Sequence, residues 1–431
     1  MSILSALPLS AQTPRWSRAD CESYARTNAL SILRSQLTRQ NAAHNATGAW
    51  DAYLPRLSAS ATQHSQNSHS TQSGSTSLSG ALPYGFDYAA TASDTWRGSD
   101  DSAAWSLEIS KRIWGAGSWD SSLSTFRNAH LADQSAELLL NRLTRELVET
   151  VRHRFHEIIR ARQTHTSNTL RLNVARKNLE IAEANENPLD IANAKFELLQ
   201  AEAQLLRSER LITDAFDRLK EILGLDPNFE LDTTDALPET RPEPDLASDL
   251  AWVVEHSEDI LIQQLRIQQL QNELSTLRES LGPSVSVSAS TSDAFGNSDS
   301  GPDHRVTLRA SWPLGSLGDR ARHDIKQNDI LDAKLQLRQT QISLHRQVLD
   351  LSRRLAETQR QIDVARQRFP IALMRVELYQ DRWDNEPNFD ILELIRAQNA
   401  LEDARIELIN QETIYFDLLA SYIRLTDCDN R

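Results

Sequence analysis

The chain states one ordered set of signals twice, the second offset from the first by about half of its 431 residues. Leu189-Asp190-Ile191 is echoed by Phe389-Asp390-Ile391, each preceded by an Asn-Glu pair (Asn185-Glu186 and Asn385-Glu386) and each opening an apolar-periodic run. Upstream, Leu54-Pro55 leads into an alternating stretch at 56–62, and Gly282-Pro283 into another at 284–290. Long helical patterns begin near Ser118 and Asp319. The period is far beyond the roughly 20–50 residues of a solenoid repeat, so it reads as a duplicated domain half. Within each half the order is helix, strand, long loop, strand, very long helix, tight turn and returning helix. Few soluble folds need that order.

Thirteen glycines and 6% aromatic residues, with abundant Leu, Ala, Gln, Arg and Glu, suit long helices better than a compact mixed core. A net charge of −14 argues against a nucleic-acid partner, which needs clustered Lys and Arg. Charges of both signs alternate along the helices and read as solvated faces with i,i+4 pairs. No run reaches the roughly 18 apolar residues of a transmembrane helix. That leaves open a β-barrel, whose strands need only about 9–11 residues of alternating polarity. Met1 to Ala11 is apolar and ends in small residues but lacks a basic start. It reads as a truncated or mis-started signal peptide within an N-terminal tail at 1–16.

The first repeat is placed at 17–225. It holds a helix from Ser17 to about Thr47, strands at about 54–63 and 104–114, and a helical hairpin at 118–223 with its tip near 185–188. His64 to Ala103, rich in Ser, Thr, Asn and Gly, is read as a long polar loop between the strands. A Pro- and acid-rich connector follows at 226–245. The second repeat spans 246–425, with a helix at 246–281 and strands at about 284–291 and 305–313 around a shorter loop. Its helical hairpin covers 319–425 with a tip near 383–388, and a tail at 426–431 ends the chain. Leu140, Leu143, Leu147, Val151, Phe155, Ile158 and Ile159 form one stripe of the first long helix. At 1.5 Å per residue that helix would be roughly 100 Å long. Asn187-Pro188 is an N-cap and N1 pair for the return. Pro370 lies inside the second long helix, where its missing N–H is expected to kink or break it.

The sequence offers little to a catalytic reading. It has no Gly-rich phosphate loop, nucleophile elbow, HExxH or Cys/His cluster, so the chain is expected not to be an enzyme and to need no cofactor or metal. His64 and His69 lack nearby carboxylate or thiol partners, and His153 and His156, three apart on a helix, read as surface histidines. Cys21 and Cys428 are the only cysteines. They stand either as two thiols or as a disulfide joining the chain ends in an oxidising compartment.

These residues resemble the TolC family of outer-membrane efflux proteins over essentially the whole chain. Ala25 followed by Asn28 is similar to the family's opening helix, and Pro55 and Pro283 to its repeated strand entry. Trp312-Pro313-Leu314 with Gly315 and Gly318 looks like its passage from strand to long helix. Leu189-Asp190 with Leu199, Ala201 and Leu219 to Leu225 resembles the segment after its tip turn. The resemblance implies a homotrimer in which each chain gives four strands to one shared 12-stranded transmembrane β-barrel. The helices would continue as an α-barrel through the periplasm, meeting a periplasmic adaptor (membrane fusion protein) and an inner-membrane pump. The chain departs from the family at the tips: Ala184 and Asp384 stand where Gly is common, Asn187 and Pro387 where Ser is usual.

Strands with one apolar and one Ser-rich face cannot close alone and fit lipid on one side and water on the other. Trp105, Trp114 and Trp312 are candidate interfacial anchors. The expected function is a passive exit duct of a tripartite efflux or type I secretion system in the outer membrane. The alternative is a periplasmic or soluble coiled-coil scaffold or adaptor, for which amphipathic strands have no use. Asn185, Asn187, Pro188, Asn385 and Pro387 are candidate adaptor contacts. Asp381 and Asp384 sit at a helix C-terminus, where negative charge is disfavoured. Threefold symmetry would make each a carboxylate ring, and the resemblance places the narrowest constriction near them, so they are candidate gate residues.

Overall fold

The computed structural model describes residues 15–66, 69–82, 85–97, 100–114, 121–184, 186–233, 245–295, 301–312, 317–385 and 391–427. The chain divides into two compact units. One comprises residues 1–35, 140–257 and 341–431, the other 36–139 and 258–340.

Helices make up most of the first unit and part of the second. Strand β1 (Arg15–Trp16) precedes α1 (Arg18–Asn28), and α2 (Leu30–Gly48) follows after a break at Ala29. Ser17 caps α1 reciprocally: its Oγ accepts from the Asp20 N–H, and Asp20 Oδ2 accepts from the Ser17 N–H at 2.9 Å. The duplication reappears at this level. Helix α5 (Leu246–His256) is, like α1, 11 residues long, and α6 (Glu258–Ser280) follows a break at Ser257. Ala29 and Ser257 have extended backbones (ψ 133° and 126°), yet each still donates its N–H to the carbonyl four residues back. The single helices read at 17–47 and 246–281 are therefore pairs. An alanine and a serine carry no signal for such a break.

Long helices α3 (Ser121–Ala184) and α7 (Leu317–Asn385) each turn back into a 36-residue partner, α4 (Pro188–Leu223) and α8 (Ile391–Thr426). Gly224 ends α4 with φ 70°, a left-handed conformation that suits glycine. The stripe on α3 is buried as its spacing requires: Val151, Phe155 and Ile158 are sealed against Leu219 and Leu223 of α4 and Cys21, Ala25 and Ile32 of the N-terminal helices. Each large apolar side chain there contributes about 1.5–3 kcal/mol. In the connector, β6 (Asp232–Thr233) pairs in parallel with β1. Cys428 lies outside the described residues, while Cys21 is fully buried.

Pro370 does not break α7. The helix is continuous from Leu317 to Asn385 through the exposed proline, where water can satisfy the freed carbonyl.

The second unit carries the larger correction. Its sheet has six strands, not four: β2 (Arg56–Gln66), β3 (His69–Leu82), β4 (Phe86–Arg97), β5 (Asp100–Trp114), β7 (Ser284–Phe295) and β8 (Asp303–Ser311), in that order and antiparallel throughout. The polar loop expected over His64–Ala103 is thus largely a β3–β4 hairpin seated between β2 and β5. Its Ser and Thr residues look like loop composition, but every second position belongs to one face of a strand. Gly80 admits the neighbouring ring of Tyr88, since a Cβ there would meet the Tyr88 hydroxyl at 2.5 Å.

Candidate functional site: an amphipathic sheet and two helical tips

The register of the six strands sorts side chains by chemistry. One row across the sheet reads Leu57, Leu78, Ala90, Leu107, Thr291 and His304; another, from β3 to β8, reads Gly80, Tyr88, Ile109, Ala289 and Val306. The alternate row between them on the other face reads Arg56, Ser79, Ala89, Glu108, Ser290 and Arg305. A further row is Ser58, Ser77, Thr91, Ser106, Ser292 and Asp303, in which Ser58 and Ser77 hydroxyls bond at 2.7 Å. The apolar face is uncovered: Leu57 is 73% and Val306 76% exposed. Exposed Leu, Ile and Val on four of the six strands, Leu57, Leu78, Ile109 and Val306 among them, are more than a monomeric soluble surface normally carries. Trp114 and Trp312 are exposed too, and Trp105 lies on the apolar face beside Ala92 and Asp293.

The first tip is built by local chemistry. Glu186 adopts φ 55°, and its N–H reaches the Glu183 carbonyl at 3.3 Å. Asn187 then caps α4: its Oδ1 accepts from the Leu189 N–H, and its Nδ2 donates to Asp190 at 2.8 Å. Pro188 takes the first helical position, as expected. Asn185 and Pro387 lie outside the described residues. At the second tip Trp383 packs with Ile395 against Ala182 and Ala194 of the first hairpin. Asp381 is exposed, and its Oδ1 accepts from Asn385 Nδ2 at 3.0 Å. That bond and a second to the Asp381 carbonyl close the end of α7. Asp384 lies in the same last turn, and its side chain is outside the description. Above the tips, Arg171 of α3 donates to Gln204 of α4 and to Asn399 and Asp403 of α8, at 2.7, 2.9 and 3.1 Å.

The sequence reading missed a polar cluster in the same unit. His153 and His156 are not surface histidines: His156 is buried, and both rings point Nδ1 at one Asp417 oxygen, each at 2.9 Å. His153 also faces Glu149 through Nε2 at 3.6 Å. Hydrogen bonds first to Asp417 and then to Glu149 outweigh burial and push His153 up to about 9. Burial raises Asp417, but the bonds from His153 and His156 hold it below the ordinary carboxylate value. Glu149 is likewise lowered, burial being outweighed by His153, Ser421 and Arg424. The i,i+3 spacing was visible in the sequence; the carboxylate some 260 residues away was not. No group of His, Cys, Asp and Glu among the described residues is arranged to hold a metal ion. No described helix is long and apolar enough to cross a membrane.

Residues 253–425 match the family model for outer membrane efflux protein. No curated relative matches the sequence. Among solved structures the chain is similar to the outer-membrane channel OprN, with TM-score 0.74 and 15% identity over 95% of this chain and 89% of that one. It is similar to the outer membrane protein VceC from Vibrio cholerae, with TM-score 0.72 and 17% identity over 95% of each chain. The Campylobacter jejuni CmeC outer membrane channel gives TM-score 0.74 and 12% identity over 95% of this chain and 85% of that one. At such identities the likeness is one of fold. The chain's fold is therefore that of the outer-membrane channels, and its residues 253–425 match the outer membrane efflux protein family.

Proposed function

We propose that this protein is an outer-membrane exit duct, a passive channel of a tripartite efflux or type I secretion system that extends into the periplasm. The observation that carries the reading is the six-stranded sheet with one uncovered apolar face and one hydroxyl-lined face. Lipid suits the first and a water-filled lumen the second. The sheet ends in β2 and β8, whose outer edges need strands from other chains, and a trimer supplies them. Helix α4 has a matching need. Leu189, Phe196, Leu199 and Leu206, spaced by sevens in two pairs, are each about two-thirds exposed and suit a neighbouring helix.

In this reading the tips around Asn187, Pro188 and Asn385 meet a periplasmic adaptor, and an inner-membrane pump supplies the energy. Asp381 and Asp384 line a closed, cation-selective constriction that opens when the tips separate. Cell fractionation tests the reading. The protein is expected in outer-membrane fractions as a heat-sensitive trimer that forms channels in planar lipid bilayers. Recovery as a soluble periplasmic monomer without channel activity overturns it.

A further inference from the structure

A four-strand contribution would place no strand between β2 and β5, and the β3–β4 hairpin adds two there. A decoration on a channel mouth would project beyond the other strands and lose their row pattern. This hairpin does neither. Strand β3 pairs with β2 over the whole of β2, from Arg56↔Ser79 to Gln66↔His69. Strand β4 pairs with β5 from Phe86↔Lys111 to Arg97↔Asp100. The hairpin therefore stands level with β5, and through it with β7 and β8, which lie in the half that matches the efflux family.

The chemistry of its two faces also continues that of its neighbours. Leu78 and Ala90 fill the row between Leu57 and Leu107, and Ser77 and Thr91 fill the row between Ser58 and Ser106. Leu78 and Leu82 are exposed apolar residues, as Val306 and Leu308 of β8 are. A hairpin standing in water would have no reason to keep a leucine–alanine row in line with those of its neighbours. Placing the hairpin outside the bilayer would also leave its flanking strands β2 and β5 unpaired within it, with their N–H and C=O groups facing lipid.

We infer that β3 and β4 are wall strands of the transmembrane barrel, so that three chains of six strands close an eighteen-stranded barrel. This rests on the outer-membrane reading above. Barrel diameter grows roughly linearly with strand number, so the duct is about half as wide again as a twelve-stranded one. Its widened wall is lined by Ser and Thr hydroxyls together with charged residues of both signs, Arg56, Glu108 and Arg305 among them, a surface that suits bulky polar cargo.

Spin labelling of the purified protein in lipid nanodiscs tests this. Cysteines are introduced singly at Leu78, Ala90, Ser77 and Thr91 in a Cys428→Ser background, with Leu107→Cys and Val306→Cys as reference positions on β5 and β8. Collision with oxygen, which concentrates in lipid, is compared with collision with a water-soluble nickel chelate. Labels at 78 and 90 are expected to behave like 107 and 306, favouring oxygen, while 77 and 91 favour nickel. If 107 and 306 favour oxygen but 78 and 90 favour nickel, the hairpin stands outside the bilayer and the proposal fails alone. If 107 and 306 also favour nickel, the outer-membrane reading fails and takes the proposal with it. Strands counted by electron cryo-microscopy of the same particles are expected to number eighteen, and a count of twelve overturns the inference even where the labels behave.

Discussion

Tyr422 donates its hydroxyl to a carboxylate oxygen of Asp249 at 2.6 Å, with both side chains buried and 173 residues apart in sequence. The bond ties α8 to α5 at the level where the two helices meet. Tyr422→Phe keeps the ring and removes the donor from a buried carboxylate. The loss expected is about 1–3 kcal/mol, read as a lower thermal midpoint, with secondary structure unchanged at room temperature. A midpoint within experimental error of wild type would show that the bond contributes nothing net.

The His153 cluster sets a pH dependence with a definite sign. His153 is raised to about 9, so its contribution is fully present below the ordinary histidine value of 6.5 and is lost as pH rises through 9. Asp417 and Glu149 are lowered, so their contributions hold above the ordinary carboxylate range and are lost in acid. His153→Asn is expected to lower stability by on the order of 1–2 kcal/mol at pH 6, after allowance for solvent screening, and by almost nothing at pH 10. Thermal unfolding of both proteins at the two pH values checks this. An equal difference at both would mean that the imidazolium is not the source.

At Pro370 the helix continues, but it lacks one backbone hydrogen bond and carries a ring against the preceding turn. We expect a bend there that Pro370→Ala removes, with stabilisation of up to about 3 kcal/mol because the site is exposed. Spin labels at Gln361 and Glu377 should move apart in the Ala variant. Identical distance distributions would rule out the bend.

If Asp381 and Asp384 form carboxylate rings at the second tip, as proposed, the channel favours cations and is blocked by divalent ions. Replacing Asp381 and Asp384 together with Ala should raise conductance, weaken cation preference and relieve the block in single-channel recordings. If all three stay at wild-type values, these residues do not line the constriction.

What was legible in the sequence was whatever has a period or a local cap. The stripe from Leu140 to Ile159, the Asn187-Pro188 helix start and the alternation at Val285 and Val287 could be read because each is decided within a few residues. Strands β3 and β4 escaped because the face that carries their apolar residues also holds Gln72, Gly74, Thr76, Gly80 and Asp94, so the contrast that marks alternation is weak. Leu78, Leu82, Tyr88 and Ala90 were the available signal. The breaks at Ala29 and Ser257 have no sequence marker, because packing rather than propensity imposes them. The His153–Asp417 pairing joins α3 to α8, and nothing local to either helix announces it.

The open edges of β2 and β8 also bear on the order of events in biogenesis. A lone chain entering the bilayer would carry two rows of unpaired amides and carbonyls into hydrocarbon, each group costing several kcal/mol. In the proposed trimer, insertion and association are then one step, with three chains meeting at the membrane surface before any has crossed it. The rate of appearance in the membrane should accordingly rise more steeply than in proportion to the number of chains waiting on the periplasmic side.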